Sequence, residues 1–210
     1  MKHPGWRRAA PLTLWGLLCA NAVFAESVKV TVQGKSGTPA ADTIIVFDPL
    51  DATPPASHGA AIVDQVNKTF VPHVTVIRTG TAVAFPNSDR IRHQVYSFSP
   101  SHPFTLKLYA GSPRTDVIFD KPGMVVLGCN IHDSMVGFIA VVDSPYFAKV
   151  PASGIVDMDL PPGHYRLRVW NSNMIMAVPN QDITVAAAAL VIPLEVEVNP
   201  ALATDVAWPE

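Results

Sequence analysis

Hydrophobic and polar positions alternate along most of the chain, with the period of two that is typical of β-strands. The stretch 28–33 alternates valine with polar residues, whereas 124–127 and 136–142 are apolar runs that indicate short buried strands. Residues that favour turns, mainly glycine, proline and asparagine, separate these segments. Strands are therefore predicted at 28–33, 43–47, 74–78, 81–85, 94–98, 105–109, 116–119, 124–127, 136–142, 182–185 and 190–198.

Little of the chain is suited to helices. Its 20 prolines and closely spaced turns leave few uninterrupted segments. The only helix-favouring composition, at 186–189, is too short to nucleate a helix alone. We therefore expect an all-β, sandwich-like fold.

The first residues carry the features of an export signal. Lys2, Arg7 and Arg8 precede a mostly apolar stretch. That stretch ends at Ala25, a small residue of the kind at which signal peptidase cleaves. We predict that residues 1–25 are a secretory signal and that the remainder is periplasmic. No later stretch is apolar for long enough to form a transmembrane helix, so no membrane insertion is expected after signal cleavage.

The charge balance is mildly acidic. The chain has 15 Lys and Arg against 17 Asp and Glu, a net charge of −2. Loss of three basic residues with the signal makes the remainder more acidic. Because phosphate backbones and anionic lipids repel an acidic protein, we expect no nucleic-acid partner.

Cys129 is the only cysteine left once the predicted signal is removed, because Cys19 lies within that signal. A lone thiol in an oxidising compartment needs protection, either by burial or by a metal ion. The residue alone favours burial, since cysteine is often a small buried hydrophobe. The nearby His132 and Met135 shift the interpretation toward metal ligation.

The segment 129–135 carries three metal-binding side chains between two predicted strands. Cys129, His132 and Met135 are spaced three residues apart, and their thiolate, imidazole and thioether are donors that soft and borderline metals prefer. Two histidines and one cysteine with a weak axial methionine form the donor set of electron-transfer copper sites. The segment supplies three of those donors, and His93, just before a predicted strand, is the best candidate for the fourth.

Other potential ligands are weaker candidates. The remaining histidines after the predicted signal precede strands or lie in loops and on strand surfaces, where imidazoles are usually solvated. They are His58, His73, His102 and His164. Met174 and Met176 together could hold Cu(I), although methionines at this spacing more often pack a core.

From about 63 to 142 the chain carries an ordered series of motifs. Phe-Val-Pro-His-Val at 70–74 precedes a strand, and Val-Ala-Phe-Pro-Asn at 83–87 begins an Asn-x-Asp stretch before His93. Phe-Asp-Lys-Pro-Gly at 119–123 then leads to Cys-x-x-His-x-x-Met. In these motifs the chain resembles cupredoxins of the plastocyanin/amicyanin kind, and it is similar to the plastocyanin-like proteins labelled methylamine utilization proteins.

This resemblance implies a Greek-key cupredoxin sandwich at 60–143 with one copper ion that cycles between Cu(I) and Cu(II). Carried over residue by residue, its ligands are His93, Cys129, His132 and Met135. The implied function is that of an exported type 1 (blue) copper protein that carries single electrons and is not an enzyme. We expect its redox partner to dock near His132, whose ring is expected closer to solvent than that of His93.

The two ends of the chain resemble the halves of a second small sandwich. Residues 27–48 resemble the opening half of a carboxypeptidase-regulatory-like β-sandwich, and 153–170 resembles its closing half. Neither half has enough strands to bury a core alone. We therefore expect 26–50 and 144–198 to form one transthyretin/Ig-like sandwich. The cupredoxin unit would be inserted in it or packed on it, and 199–210 would be a loose tail.

The shared sandwich makes a specific pairing prediction. The strand at 28–33 should pair with the 163–170 region, because the two halves must complete one another. A structure in which 28–33 is not paired with the 163–170 region would contradict this arrangement.

The residues leave other functions open: a copper-storage or delivery module, a structural sandwich with a vestigial site, or an enzyme with a Cys-His nucleophile. The first could also use Met174 and Met176. The last lacks an evident third group beside Cys129 and His132. Zinc is disfavoured because a thioether is a poor zinc ligand.

Overall fold

The computed structural model describes residues 25–37, 40–186 and 189–199, which form β-strands joined by turns. The predicted all-β class is confirmed, because the described residues contain no α-helix and one short 3₁₀ turn, Lys35–Gly37. None of them belongs to a helix with the length and apolar character that a membrane crossing requires. The predicted signal, apart from residue 25, and the tail beyond residue 199 lie outside the described residues.

Strand bounds follow the alternating pattern closely. The strands predicted at 74–78 and 136–142 have those bounds in the structure. Of the strands with three residues, only Val117–Phe119 was predicted, at 116–119, because so few residues rarely show alternation; Phe147–Lys149 is one that was not predicted. The described residues form seventeen strands: β1 (Glu26–Gly34), β2 (Ile44–Pro49), β3 (Ala60–Ile62), β4 (Asp64–Val66), β5 (Thr69–Val71), β6 (Val74–Arg78), β7 (Thr81–Ala84), β8 (His93–Ser97), β9 (Phe104–Tyr109), β10 (Val117–Phe119), β11 (Gly123–Gly128), β12 (Val136–Val142), β13 (Phe147–Lys149), β14 (Ile155–Leu160), β15 (Gly163–Trp170), β16 (Gln181–Val185) and β17 (Leu190–Val196).

Hydrogen bonding groups the described strands into four sheets and one hairpin. Sheet 1 has the order β14-β1-β17, and sheet 2 has the order β13-β2-β15-β16. Sheet 3 has the order β6-β12-β11-β8-β9, and sheet 4 has the order β10-β7-β3. The short strands β4 and β5 form the hairpin.

Three apolar cores lie between these sheets. Sheets 1 and 2 enclose the first core, sheets 3 and 4 enclose the second, and the third lies between sheets 2 and 3. The sheets are therefore stacked in the order 1-2-3-4. This stacking explains the continuous apolar runs, because a strand that is buried on both faces shows no polar alternation.

The strands β2 and β12 show this double burial residue by residue. In β2, Phe47 faces the first core and Val46 faces the third. In β12, Ile139 faces the second core and Phe138 faces the third. Trp170, at the end of β15, also fills the third core, with its ring centroid 5.3 Å from that of Phe138. Sheet 3, which carries the predicted ligand segments, is thus held from both sides.

The predicted pairing of 28–33 with 163–170 is wrong. The strand β1 pairs with β14 and β17, and β15 pairs with β2 and β16. Val30 in β1 and Leu167 in β15 are both fully buried in the first core, so these strands face each other across that core from opposite sheets. The division of the chain into a cupredoxin unit and a second sandwich stays a prediction.

Substitution of Trp170 tests the third core. Trp170→Ala should lower the free energy of unfolding by about 3–5 kcal/mol, because it removes a large, fully buried side chain. Urea unfolding followed by circular dichroism measures the change. Phe98→Ala is the matched control: Phe98 is 81% exposed, and its loss should change stability by at most about 0.5 kcal/mol. Equal losses would contradict a stabilising role for the third core.

Candidate metal centre

The turn between β11 and β12 brings both sulfur-containing side chains back into the second core. β11 ends at Gly128, and β12 begins at Val136. Between them, the N–H of Met135 donates a hydrogen bond to the carbonyl of His132 at 2.9 Å. Because this tight turn returns the chain to the sheet, Cys129 and Met135 are 3% and 1% exposed. His132 remains half-buried.

His93 reaches the same point from the neighbouring strand. It opens β8, which pairs with β11 through Tyr96 and Gly128, and it is fully buried. Its Nδ1 lies 3.8 Å from Cys129 Sγ. Its ring centroid lies 5.0 Å from that of His132. The fold therefore brings together side chains that are 36 positions apart in the sequence.

The donor atoms of His93, Cys129 and His132 all lie within 4.8 Å of one another. Typical bonds from a metal ion to nitrogen and to sulfur are about 2.0 and 2.3 Å long. Their sum exceeds the 3.8 Å between His93 Nδ1 and Cys129 Sγ, so one ion can contact both atoms at a bent angle. The three residues fit a metal ion bound by two imidazoles and a thiolate.

A buried nitrogen of His132 supports the same assignment. Its Nδ1 has no hydrogen-bond partner within the part of the chain that the structure describes. An unpaired buried polar atom costs about 1–3 kcal/mol, and such atoms are uncommon in folded proteins. Coordination to a metal ion would satisfy this nitrogen.

Asp89 orients the buried imidazole of His93. The Nε2 of His93 lies 2.7 Å from Asp89 Oδ2, and because a carboxylate can only accept, Nε2 carries the proton. The other nitrogen, Nδ1, then has a free lone pair on the side of Cys129. Carboxylates that accept from a metal-ligating histidine set its tautomer and orientation in this way.

The turn of the β4–β5 hairpin holds Asp89 in place. The backbone N–H groups of Asn67 and Lys68 donate to its two carboxylate oxygens at 2.6 and 2.8 Å. Both turn residues have the left-handed φ values, 52° and 60°, that a two-residue hairpin turn requires. The Lys68 N–H, the His93 ring and the Asn67 N–H lower the pKa of Asp89 below its ordinary value, so the side chain stays a carboxylate.

A second network fixes the loop that leads into His93. The side-chain Nδ2 of Asn87 donates to the carbonyls of Ile91 and Tyr109 at 2.9 and 3.0 Å. The hydroxyl of Tyr109 donates to the carbonyl of Phe85 at 2.6 Å. Burial raises the pKa of Tyr109 to about 12, so this hydroxyl remains a donor at neutral pH. The fully buried Gln65 also bonds this hydroxyl through its amide.

These supporting residues were missed in the sequence. Asp89 belongs to the Asn-x-Asp motif, but the motif does not reveal its hydrogen bond to His93. Nothing in the sequence indicates the roles of Gln65 and Tyr109, because their hydrogen-bond partners are distant in the chain. The consecutive pair Asn67-Lys68 in a short hairpin is the one local cue that could have been used.

The other histidines lie away from the donor cluster. His73 packs edge-on against Phe138, with ring centroids 5.3 Å apart, on the third-core face of sheet 3. His102 is buried beside Asp120, and its burial lowers its pKa. His58 and His164 are exposed, in agreement with their predicted surface positions.

The remaining methionines do not form a pair. Met174 is 1% exposed in the first core, whereas Met176 is 65% exposed. Their joint use in a Cu(I) site is therefore not supported. Met135 shares the second core with Cys129, and its role as a ligand stays a prediction.

No protein-family model matches the chain, and no curated protein matches it. Solved structures with partial similarity include a Cu-containing nitrite reductase (NirK) from Thermus scotoductus SA-01, 30% identical with a TM-score of 0.37. The match covers 46% of this chain and 27% of the reductase, so the chain spans about a quarter of that protein's length.

Cupredoxins are also among the similar structures. A purple cupredoxin from Nitrosopumilus maritimus is 22% identical over 39% of this chain and 98% of its own, with a TM-score of 0.35. An oxidized amicyanin mutant is 16% identical over 46% of this chain and 97% of its own, with a TM-score of 0.36. The candidate metal site rests on the positions of His93, Cys129 and His132 in this chain.

Replacement of Asp89 tests its role in orienting His93. Asp89→Asn should weaken copper binding about 10- to 100-fold, because a neutral amide no longer anchors the imidazole as a carboxylate does. Competition with a copper chelator measures the affinity. Asp133→Asn is the control, since it removes the same charge from an exposed residue next to His132 and should change affinity by no more than about twofold. Equal weakening by both variants would show that charge, not orientation, is responsible.

Proposed function

We propose that this chain is an exported type 1 copper protein that carries single electrons. Its one copper ion is held by His93, Cys129, His132 and Met135. The observation that carries the proposal is the convergence of two imidazole nitrogens and one cysteine sulfur within 4.8 Å of one another. The sequence motifs around these residues add independent support.

The donor set favours copper over other metals. Two imidazoles, a thiolate and a weak axial thioether are the ligands of blue-copper electron-transfer sites. Structural zinc sites use cysteine, histidine and carboxylate but not methionine. When bound, copper would supply a one-electron couple between Cu(I) and Cu(II).

The chain's own residues hold the donors in place and keep water away. Asp89 fixes the ring of His93, and the second core surrounds Cys129 and Met135. Ligands that are held rigidly rearrange little when an electron enters or leaves. The apolar surroundings also limit solvent access, which is one of the means by which proteins set a reduction potential.

The same geometry also resembles a catalytic Cys-His-Asp set with a cysteine nucleophile, which is the alternative to a metal site. Cys129 Sγ lies 3.8 Å from His93 Nδ1, and His93 Nε2 lies 2.7 Å from Asp89, so Asp89 supplies a third group. Reactive cysteines are at least partly exposed, because the substrate must reach the sulfur. Here Cys129 is 3% exposed and His93 is fully buried. Burial therefore favours a metal ligand over a nucleophile.

We place the point of electron entry and exit at His132. It is half-buried, whereas His93 is fully buried. Its neighbour Ile131 is 51% exposed and would provide an apolar contact for a docking redox protein. Docking at this end would bring the partner to the ligand that lies closest to solvent.

The proposal extends to location and organisation. Residues 1–25 would direct export to the periplasm and be removed there, which N-terminal sequencing of the exported protein can test. Sheets 1 and 2 would form a second sandwich that braces the copper unit. Its support would act through the third core, where sheet 2 packs directly on sheet 3.

The visible spectrum of the Cu(II)-loaded protein tests the function. An intense thiolate-to-copper absorption band and reversible one-electron reduction are expected, and Cys129→Ser should abolish the band because it removes the thiolate. Ser134→Ala, in the same turn, should retain the band. Tight Cu(I) binding without the band would favour storage or delivery, and absence of binding would favour a structural role.

Replacement of the proposed axial ligand gives a separate test. Met135→Leu keeps the buried volume nearly constant but removes the thioether, so it should shift the absorption and paramagnetic spectra of the Cu(II) form. Met176→Leu makes the same change at an exposed site and should leave both spectra unchanged. Identical spectra for Met135→Leu and the unmodified protein would exclude Met135 as a ligand.

A further inference from the structure

Three basic residues flank the pair formed by Asp89 and His93. Lys68 donates its backbone N–H to Asp89 at 2.8 Å. Arg90 directly follows Asp89 in the chain, and Arg92 directly precedes His93. Each is therefore one residue or one hydrogen bond away from this pair. We call Lys68, Arg90 and Arg92 the basic patch.

The charges of the basic patch are directed to solvent. Lys68, Arg90 and Arg92 are all exposed. None of them forms an ion pair with another described residue. The basic side chains of sheets 1 and 2, by contrast, mostly face acidic partners, for example Lys29 with Asp157 at 3.5 Å. The patch therefore presents three exposed positive charges that form no ion pair within the described residues.

The carboxylates of the same segments, Asp64 and Asp89, offset part of this charge, but they are only partly exposed, whereas the three basic side chains are exposed. Asp89 accepts from two backbone N–H groups and from His93. Asp64 accepts from the hydroxyl of Ser88 at 2.7 Å. In the turn that carries Cys129 and His132, Asp133 is the exposed acidic side chain, and it opposes the patch with a single charge.

Screening makes the local charge matter more than the net charge of −2. The Debye length is about 8 Å at physiological ionic strength, and stacked sheets lie about 10 Å apart. The acidic residues of sheet 1, such as Asp157 and Asp159, are two sheet spacings from sheet 3 and are strongly screened. A partner that approaches the metal centre is therefore influenced more by the nearby arginines than by the carboxylates of sheet 1.

Apolar side chains lie among these charges. Ile91, between the two arginines, is 42% exposed, and Ile131, beside His132, is 51% exposed. The rings of His93 and His132 are 5.0 Å apart, so both isoleucines belong to the same end of the molecule. An apolar centre with an arginine-containing rim is a common composition for a protein interface.

We propose that the redox partner of this chain presents an acidic surface. This surface docks on the basic patch, and Ile91 and Ile131 lie at the centre of the interface. This inference rests on the proposed electron-carrier function and deepens it by assigning the charge of the partner. Complementary charge would speed encounter and orient the partner over His132, as electrostatic steering does in other complexes.

The test uses the copper-loaded full chain, after its blue band has been verified. The reduced protein gives one electron to hexacyanoferrate(III), an anion that becomes hexacyanoferrate(II), or to the cation tris(phenanthroline)cobalt(III), which becomes cobalt(II). Stopped-flow recovery of the band gives each rate constant at low and at physiological ionic strength. We expect the rate with the anionic oxidant to fall as salt is added and the rate with the cationic oxidant to rise.

Neutralising the patch should remove this behaviour. The double variant Arg90→Gln/Arg92→Gln should react with hexacyanoferrate(III) about tenfold more slowly at low salt, with less dependence on salt. Arg90→Lys/Arg92→Lys should keep the rate, because lysine retains the charge.

Lys121→Glu is the matched control, because it changes the net charge by the same two units. Lys121 is exposed in the turn before β11, one strand length, about 20 Å, from Cys129. This variant should alter the rate by no more than about twofold. An equal slowing in the control and the patch variant, or a rate with the anionic oxidant that rises with salt, would overturn the acidic-partner proposal. A protein that binds no copper with a blue band would instead overturn the proposed function.

Discussion

The hydrogen bond between His93 and Asp89 is the contact on which the candidate metal centre depends. It selects the tautomer of a fully buried imidazole and leaves Nδ1 free on the side of Cys129. Asp89 is itself fixed by the N–H groups of a left-handed hairpin turn. One carboxylate thus connects the geometry of a surface turn to the position of a buried nitrogen that could bind a metal ion.

The stack of four sheets explains how this geometry can be maintained. Sheet 3 carries β8, β11 and β12, so each proposed ligand lies at a strand end or in the turn between two of its strands. The second and third cores pack on its two faces. A close-packed sheet that is held from both sides resists the shear that would separate His93 from Cys129. The described residues of sheets 1 and 2 therefore support the site through the third core, although none of them belongs to the group of potential metal donors.

Much of the fold was accessible from the sequence because strand formation leaves a local pattern. Alternation and apolar runs predicted most strands of more than three residues within a few positions of their observed bounds, including β6 and β12 with identical bounds. The pairing of β1 was predicted wrongly. Val30 and Leu167 have the same apolar character whether their strands pair within a sheet or face each other across a core, and hydropathy does not distinguish these cases.

For the candidate site, the sequence by itself determined which potential donors lie together along the chain: Cys129, His132 and Met135 fall within seven residues, and their spacing requires only a turn between two strands. The sequence motifs pointed to His93 as a further donor, but only the tertiary structure decided that it meets Cys129 and His132, that Asp89 orients it, and that Cys129 is too buried to act as an accessible nucleophile. The physical reason is the sequence separation of the residues that must meet. Local spacing is set by backbone geometry and can be read along the chain, whereas the approach of Asn67, Asp89 and Cys129 depends on how sheets and hairpins pack.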